Sequence, residues 1–363
     1  MKRLGLILLA LTMIFSVFTL TACDGADAPT PATETPAAEA PAAEAPASEA
    51  PAADPGRPLR IGFAQIGSES DWRVGNTVSI QEAVAAEGWE LLFVDANQQQ
   101  AAQIAALRDF ITQGVDYIGF APVVETGWDQ VMQEIKEAGI PVIMLDRNIE
   151  MDNRDDYYAT WIGANFFNEG ERAANWLVSY LEHTGRAGEE INIVELQGTV
   201  GSSPMLQRQA GFAEVIAGHP NLNISLSQTG NFETEMGKTV MESFLAQQGA
   251  DIDVVFAHND GMAIGAIQAI REFGLNPGED IIIIGIDAVK LAFEAIIAGD
   301  MNATIECSPL LGPQFVEAIK ALERGEVLPK ITFSNWTDYD DFLYRIYPDR
   351  FSSARVHVDE RVY

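Results

Sequence analysis

Short apolar runs rich in branched residues recur along most of the chain, at 59–66, 90–94, 116–121, 141–145, 191–196, 224–227, 252–257 and 281–286. Each has the length of a strand buried on both faces. Between them lie longer stretches whose apolar positions are three and four apart. This spacing predicts helices over 74–87 and 103–112, and further helices starting near Asn168, Pro204, Thr234, Gly261 and Val289. Strand and helix in regular alternation imply parallel sheets with helices on both faces. From Leu59 to Tyr363 the chain is too long for one such sheet, which predicts an α/β fold of two lobes.

The N-terminus has a different pattern. Lys2 and Arg3 precede a continuous apolar run over 4–20 that ends in Leu20-Thr21-Ala22-Cys23. A charged start, a short apolar middle and small residues before a cleavage point are the parts of a secretory signal. The run is somewhat short for a membrane span and no basic cluster follows it, which argues against a transmembrane anchor. Residues 1–22 are therefore read as a signal peptide. Leu-Thr-Ala-Cys resembles the lipobox of bacterial lipoproteins, which makes Cys23 the lipid attachment site and places the protein outside the cytoplasm, lipid-anchored to the cell membrane. Cys307 is the only other cysteine, so a lipidated Cys23 leaves no disulfide within the chain.

Residues 23–58 are rich in Ala, Pro and Glu, with Pro36, Pro41, Pro46 and Pro51 at a five-residue period. Such a segment cannot bury a core and favours extended conformations, and it reads as a disordered stalk. At about 3.1 Å per residue it could hold a folded head up to on the order of 100 Å from the membrane. The net charge is −31, and cleavage after Ala22 removes only Lys2 and Arg3 from the charged residues. Nucleic acid and anionic lipid surfaces would both repel so acidic a chain.

In open parallel sheets ligands sit beyond the carboxyl ends of the strands. The residues that follow the apolar runs are unusually polar or aromatic. They include Glu69, Ser70, Trp72 and Arg73 after the first run, Asp146 and Arg147 after the fourth, Asn259 after 252–257, and Asp287 after 281–286. Arg208 lies in the first turns of the helix after 191–196, and Phe232 follows another strand end. Carboxylates accept from hydroxyl groups, Arg and Asn donate to them, and aromatic rings cover C–H faces, so the set suits a polyol. Any one of these residues alone is more economically read as a helix cap or a surface ion pair. Their convergence from several strand ends favours a pocket.

Eight segments carry a resemblance: GFAQIGSESDWR (62–73), QGVDYIGFAPVVETGWD (113–129), IPVIMLDR (140–147), VELQGTVGSS (194–203), RQAGF (208–212), VMESF (240–244), AHNDGMAIGAIQAI (257–270) and GIDAV (285–289). Over 59–340 the chain resembles the periplasmic binding proteins of the ribose/galactose type, which serve ABC importers. Ser70-Asp71-Trp72-Arg73 and Thr126-Gly127-Trp128 look like the galactofuranose branch of that family. The resemblance implies a type I binding-protein fold with three crossovers, near 160–164, 303–308 and 333–336. The first lobe is then 59–162 plus 307–333, and the second lobe and tail are 163–306 plus 334–363. It further implies that a monosaccharide sits between the lobes, that the importer's permease subunits read the closed form, and that the protein acts as a monomer. Trp72 would pack on the sugar, Arg73 would donate to it, and Asp146 with Arg147 would clamp it from the first lobe. Arg208, Asn259, Asp287 and Phe232 would meet it from the second, with Glu69, Ser70 and Asn165 adding hydroxyl contacts. Ribose binders carry Gln near the return crossover where this chain has Cys307. The tail from Asp338, with Tyr339, Phe342, Tyr344 and Tyr347, departs from the family pattern.

Other functions are less well supported. A repressor sharing the fold would need a basic DNA-binding headpiece in place of the signal and acidic stalk. A sensor feeding a chemoreceptor is compatible with the same fold. Gly237-Lys238-Thr239 resembles the end of a phosphate loop, but Phe232 stands where that loop needs glycine. His183, His219, His258 and His357 lack metal-ligand spacing. Asp146 beside Arg147 favours an ionised carboxylate over the proton donor of a glycosidase. No enzyme, cofactor or metal is expected.

Overall fold

The computed structural model describes residues 57–334 and 337–363; the predicted signal segment, Cys23, the stalk up to residue 56 and Trp336 of the third crossover lie outside the described residues. The predicted alternation appears first as β1 (Arg60–Gln65), α1 (Asp71–Ala86), β2 (Glu90–Asp95), α2 (Gln100–Gln113), β3 (Tyr117–Phe120), α3 (Asp129–Glu137), β4 (Val142–Leu145) and β5 (Thr160–Gly163). It continues as α4 (Phe166–His183), β6 (Ile191–Gln197), α5 (Ser203–Ile216), β7 (Leu222–Thr229), α6 (Thr234–Gln248), β8 (Val254–Ala257), α7 (Asp260–Phe273), β9 (Ile282–Asp287), α8 (Lys290–Ala298) and β10 (Ala303–Glu306). Then follow α9 (Gly312–Glu323), β11 (Ile331–Phe333), β12 (Asp338–Tyr339) and α10 (Ala354–His357).

These strands form two sheets, ordered β11-β5-β4-β3-β1-β2 and β12-β10-β9-β8-β6-β7. The first five strands of each half repeat one doubly wound order, in which the third strand in sequence pairs with the first on the side away from the second. The repeat puts a switch point between β1 and β3 in one lobe and between β6 and β8 in the other. Pairing is parallel throughout except for β12, which runs antiparallel to β10. The chain passes between the sheets three times, after β5, after β10 and after β11. Strands β3, β4, β8 and β9 are buried along their whole length, as expected for sheets covered on both faces.

Each lobe is centred on aromatic side chains. In the first, Phe63 packs edge-on against Phe315 of α9 at 5.9 Å; in the second, Phe212 stacks on Phe256 at 4.0 Å. Helices α4 and α5 lie so close that a Cβ on Gly170 would be 2.1 Å from the Arg208 carbonyl oxygen, and one on Gly211 would be 2.0 Å from that of Phe167. Only glycine permits this approach, which carries the α4 side chains up to the foot of Arg208.

Two features differ from the sequence expectation. Helix α1 starts at Asp71, not near 74, because Ser70 caps it by accepting from the Arg73 N–H. Trp72 and Arg73 therefore sit in a first helical turn and not in a free loop. Strands β5 and β10 lie where only crossovers were expected. The tail packs on the second lobe through β12, with Leu343 and Ala354 fully buried and Phe351 nearly so. Among the described residues no helix is long and apolar enough to cross a membrane.

Candidate ligand site between the lobes

The carboxyl ends of both sheets meet at a cavity of about 290 Å³, lined by Glu69, Ser70, Trp72, Arg73, Asp146, Arg147, Pro204, Arg208, Phe232, Asn259, Asp287 and Cys307. Ten of the eleven expected ligand residues converge on it. Asn165 does not: its side chain is exposed and turns back to cap α4, accepting from the Asn168 N–H at 3.1 Å. Pro204 and Cys307 were not among the expected contacts.

The first-lobe half is a closed ionic lattice. Arg73 donates through Nη2 to Asp146 Oδ2 at 2.7 Å and through Nε to Glu69 Oε1 at 3.1 Å. Arg147 Nη2 lies 4.0 Å from the same Glu69 oxygen, and its Nη1 donates to the Val123 carbonyl at 2.7 Å. Burial pushes the Glu69 carboxyl up, but Arg73 and Arg147 together outweigh it and hold it below the usual range. Burial, and then the neighbouring Arg73, lower the Arg147 guanidinium to about 10, which leaves it charged at neutral pH.

The second-lobe half is rich in acids around one cation. Arg208 donates through Nε to Glu169 Oε2 at 2.8 Å and through Nη1 to the His258 carbonyl at 2.5 Å, and its Nη2 is 3.7 Å from Asp287 Oδ1. Burial raises the Glu169 carboxyl despite Arg208. Burial also pushes Asp287 well above the carboxylate range against the pull of Arg208, with Asp260 adding to the rise, and pushes the Cys307 thiol up. Asn259 caps α7 by accepting from Met262 N–H at 3.0 Å while its amide donates to the Phe232 carbonyl at 3.1 Å. Glu169 is missed by the strand-end rule because it meets Arg208 from within α4. The close glycine contact of α4 with α5 is the feature that brings it there.

Three further observations mark the cavity as a site. Asp146, Phe232, Asp287 and Ala288 have φ of 59°, 67°, 127° and 60°. Such backbone costs of order 1–3 kcal/mol at each non-glycine residue and persists where the surroundings enforce it, commonly at ligand sites. Among the described residues, Glu69 Oε2, Arg73 Nη1 and Arg147 Nε are buried polar atoms with no hydrogen-bond partner. Left alone, each costs roughly 1–3 kcal/mol, and a ligand's hydroxyl groups would satisfy them. Finally, aromatic rings cover the two sides: Trp72, with the Arg73 guanidinium 4.6 Å from its ring centre, and Phe232, with Arg147 and Arg208 at 5.2 and 5.9 Å.

The lobes are bridged around the cavity. Asn148 N–H donates to Ser203 Oγ at 3.1 Å, Glu125 N–H to the Gly201 carbonyl at 2.9 Å, and Gln98 Nε2 to Glu233 Oε1 at 2.9 Å. The Trp72 indole N–H donates to the carbonyl of Cys307 on a crossover, tying the cavity wall to the hinge.

Two lobes of repeated doubly wound topology, three crossovers and a polar cavity at facing strand ends define a binding protein of the periplasmic type, and the periplasmic binding protein domain family matches residues 61–326. The chain belongs to that family, whose members are substrate-binding proteins and not enzymes. Its sequence is 44% identical over 285 residues to the galactofuranose-binding protein YtfQ of Escherichia coli K12, covering 78% of this chain and 88% of that protein. Among solved structures, one from Mycobacterium smegmatis in complex with β-D-fucofuranose superposes with a TM-score of 0.76 at 44% identity, covering 83% of this chain and 97% of that one. The periplasmic component of the arabinose ABC transporter from Shewanella sp. ANA-3, bound to α- and β-L-arabinofuranose, superposes with a TM-score of 0.75 at 41% identity, covering 84% and 96%.

Proposed function

We propose that this protein captures a neutral monosaccharide in its furanose form, with galactofuranose the leading candidate, and delivers it to the permease of an ABC importer. The observation that carries the reading is the set of unpaired buried atoms on Glu69, Arg73 and Arg147, residues that line an aromatic-walled cavity together with Asp287, Asn259 and Arg208. Hydroxyl groups both donate and accept, so a sugar can meet charges of either sign in one small space. An anionic ligand would face Glu69 held in its ionised form. The furanoses named for the relatives support the ring form.

The lobes, 59–162 plus 307–333 and 163–306 plus 334–363, act as two bodies that close on the sugar. Glu69, Ser70, Trp72, Arg73, Asp146 and Arg147 bind from one side and Arg208, Phe232, Asn259 and Asp287 from the other. A ligand touching both lobes binds the closed form better and shifts the population toward it. Lipid on Cys23 and the Pro-rich stalk hold the monomeric head outside the cytoplasm near its permease.

Calorimetric titration of the purified head, from Leu59, with galactofuranose donors, fucofuranose, arabinose, galactose, ribose and inositol tests this. Micromolar or tighter binding of a furanose-forming sugar, with the sugar recovered unchanged, is expected. A folded head that binds none of them contradicts the proposal.

A further inference from the structure

The tail is fixed to the second lobe by β12 and then runs to Arg361–Tyr363. The Arg361 guanidinium lies 4.7, 5.0 and 4.9 Å from the rings of Phe293, Tyr339 and Tyr363, and it donates to Glu306 Oε1 at 2.8 Å. The Tyr363 hydroxyl donates to the same Glu306 oxygen at 3.3 Å. Tyr363 thus ends a packed strip that belongs to the second lobe.

Its other contacts reach both halves of the ligand site. The Tyr363 carbonyl accepts from the Lys290 N–H at 2.6 Å, at the start of α8 and three residues after Asp287. On the far side it presses on α1 of the first lobe: a Cβ built on Gly75 would stand 2.9 Å from Tyr363 Cβ. Gly75 follows Arg73 by two residues on the same helix, and Asn76 beside it donates to the Pro309 carbonyl on a crossover at 3.0 Å. The order Asp287, Lys290, Tyr363, Gly75, Arg73 therefore joins the two ligand-bearing edges by a route outside the cavity.

We propose that Tyr363 is a positioning residue, an interlobe clasp that holds α1 against the start of α8 and so sets Trp72 and Arg73 opposite Asp287. The clasp rests on the sugar-capture reading for its role in binding, but its effect on lobe closure stands without any ligand. Tyr339, Phe342, Tyr347, Arg355 and Arg361 of the tail make their ring contacts and hydrogen bonds with the second lobe, whereas Gly75 belongs to the first. Contact between them adds to the stability of the closed form and slows release of whatever the cleft holds.

Gly75→Ala gives the sharpest test. Within a helix this change by itself stabilises, but here the new methyl meets Tyr363. In the full chain, Gly75→Ala and Tyr363→Gly are each expected to speed sugar release by about fivefold, with association little changed. The double variant should release no faster than Tyr363→Gly alone, Tyr363→Phe should behave as the native protein, and the melting temperature should hold in all of them. A second readout needs no sugar. With Cys23→Ser, spin labels at Gln99→Cys and Glu235→Cys, both exposed beside the Gln98–Glu233 bridge, report the lobe separation. Longer separations in Tyr363→Gly support the clasp even if no sugar tried binds, which would count against the sugar reading alone. Unchanged label distances, or additive release rates in the double variant, overturn the clasp.

Discussion

The two halves of the cavity are built on sheets of the same order yet solve burial of charge in opposite ways. The first lobe sets Glu69 and Asp146 against Arg73 and Arg147 and holds Glu69 ionised. The second sets Arg208 against Glu169 and Asp287, both pushed toward the protonated form by burial. The first half is therefore a lattice of charges that leaves Glu69 Oε2, Arg73 Nη1 and Arg147 Nε without a hydrogen-bond partner. The second hangs on one cation, with Asp287 on the cavity wall and Glu169 beside Arg208 both raised by burial. A sugar placed between them would meet two carboxylates paired with arginines on one side and Arg208 with Asp287 and Asn259 on the other.

Removing each cation tests that contrast most severely. Arg208→Met removes the cation that Glu169 and Asp287 share and should cost about 3–5 kcal/mol of stability, together with nearly all ligand affinity. Arg73→Met should cost less, because Arg147 stays beside Glu69; denaturant unfolding of the two variants checks the order. Equal losses would remove the distinction between the halves.

Next in size, Asp146→Ala strips Arg73 of its shorter ion pair and should weaken binding by about a hundredfold, whereas the exposed Asp109→Ala should leave it unchanged. Titration of both variants decides. Trp72→Ala should weaken binding by about tenfold or more, by removing an aromatic wall and the indole bond to Cys307, while the lobes stay folded by circular dichroism. Unchanged affinity would take Trp72 out of the site.

A separate expectation, on stability and not on binding, is a pH dependence that arises in the second lobe. Burial raises the Asp260 carboxyl to about 7, where it accepts from Thr304 Oγ1 at 2.7 Å and Val289 N–H at 3.0 Å. A carboxyl raised in the folded state favours folding fully below its unfolded value near 4, and that contribution is lost as pH rises toward 7. Stability should therefore decline across this window by on the order of a few kcal/mol from this group. Asp260→Asn, whose amide can face the Thr304 hydroxyl oxygen, should flatten the decline. Urea unfolding at pH 4.5 and 7 measures it.

Much of this arrangement was legible in the sequence, for a physical reason. Strands buried on both faces must be continuous apolar runs, so β1, β3, β4, β6, β8 and β9 stand out, and the ligand residues follow them because parallel strands point their carboxyl ends at the site. What stayed hidden lacks those signals. Strands β5 and β10 are four residues each, with polar Thr160, Thr304 and Glu306 among them. Glu169 approaches through glycine contacts between helices, which no local pattern announces. Asn165 sits at a strand end like the true lining residues, but its side chain was claimed by the cap of α4.

A crystal structure with the tightest-binding sugar tests the central claim most directly. The account predicts sugar hydroxyl groups on Glu69 Oε2, Arg73 Nη1 and Arg147 Nε from one lobe and on Asp287, Asn259 and Arg208 from the other, with the ring between Trp72 and Phe232. A sugar held by one lobe alone, with those three first-lobe atoms still unpaired, would contradict it.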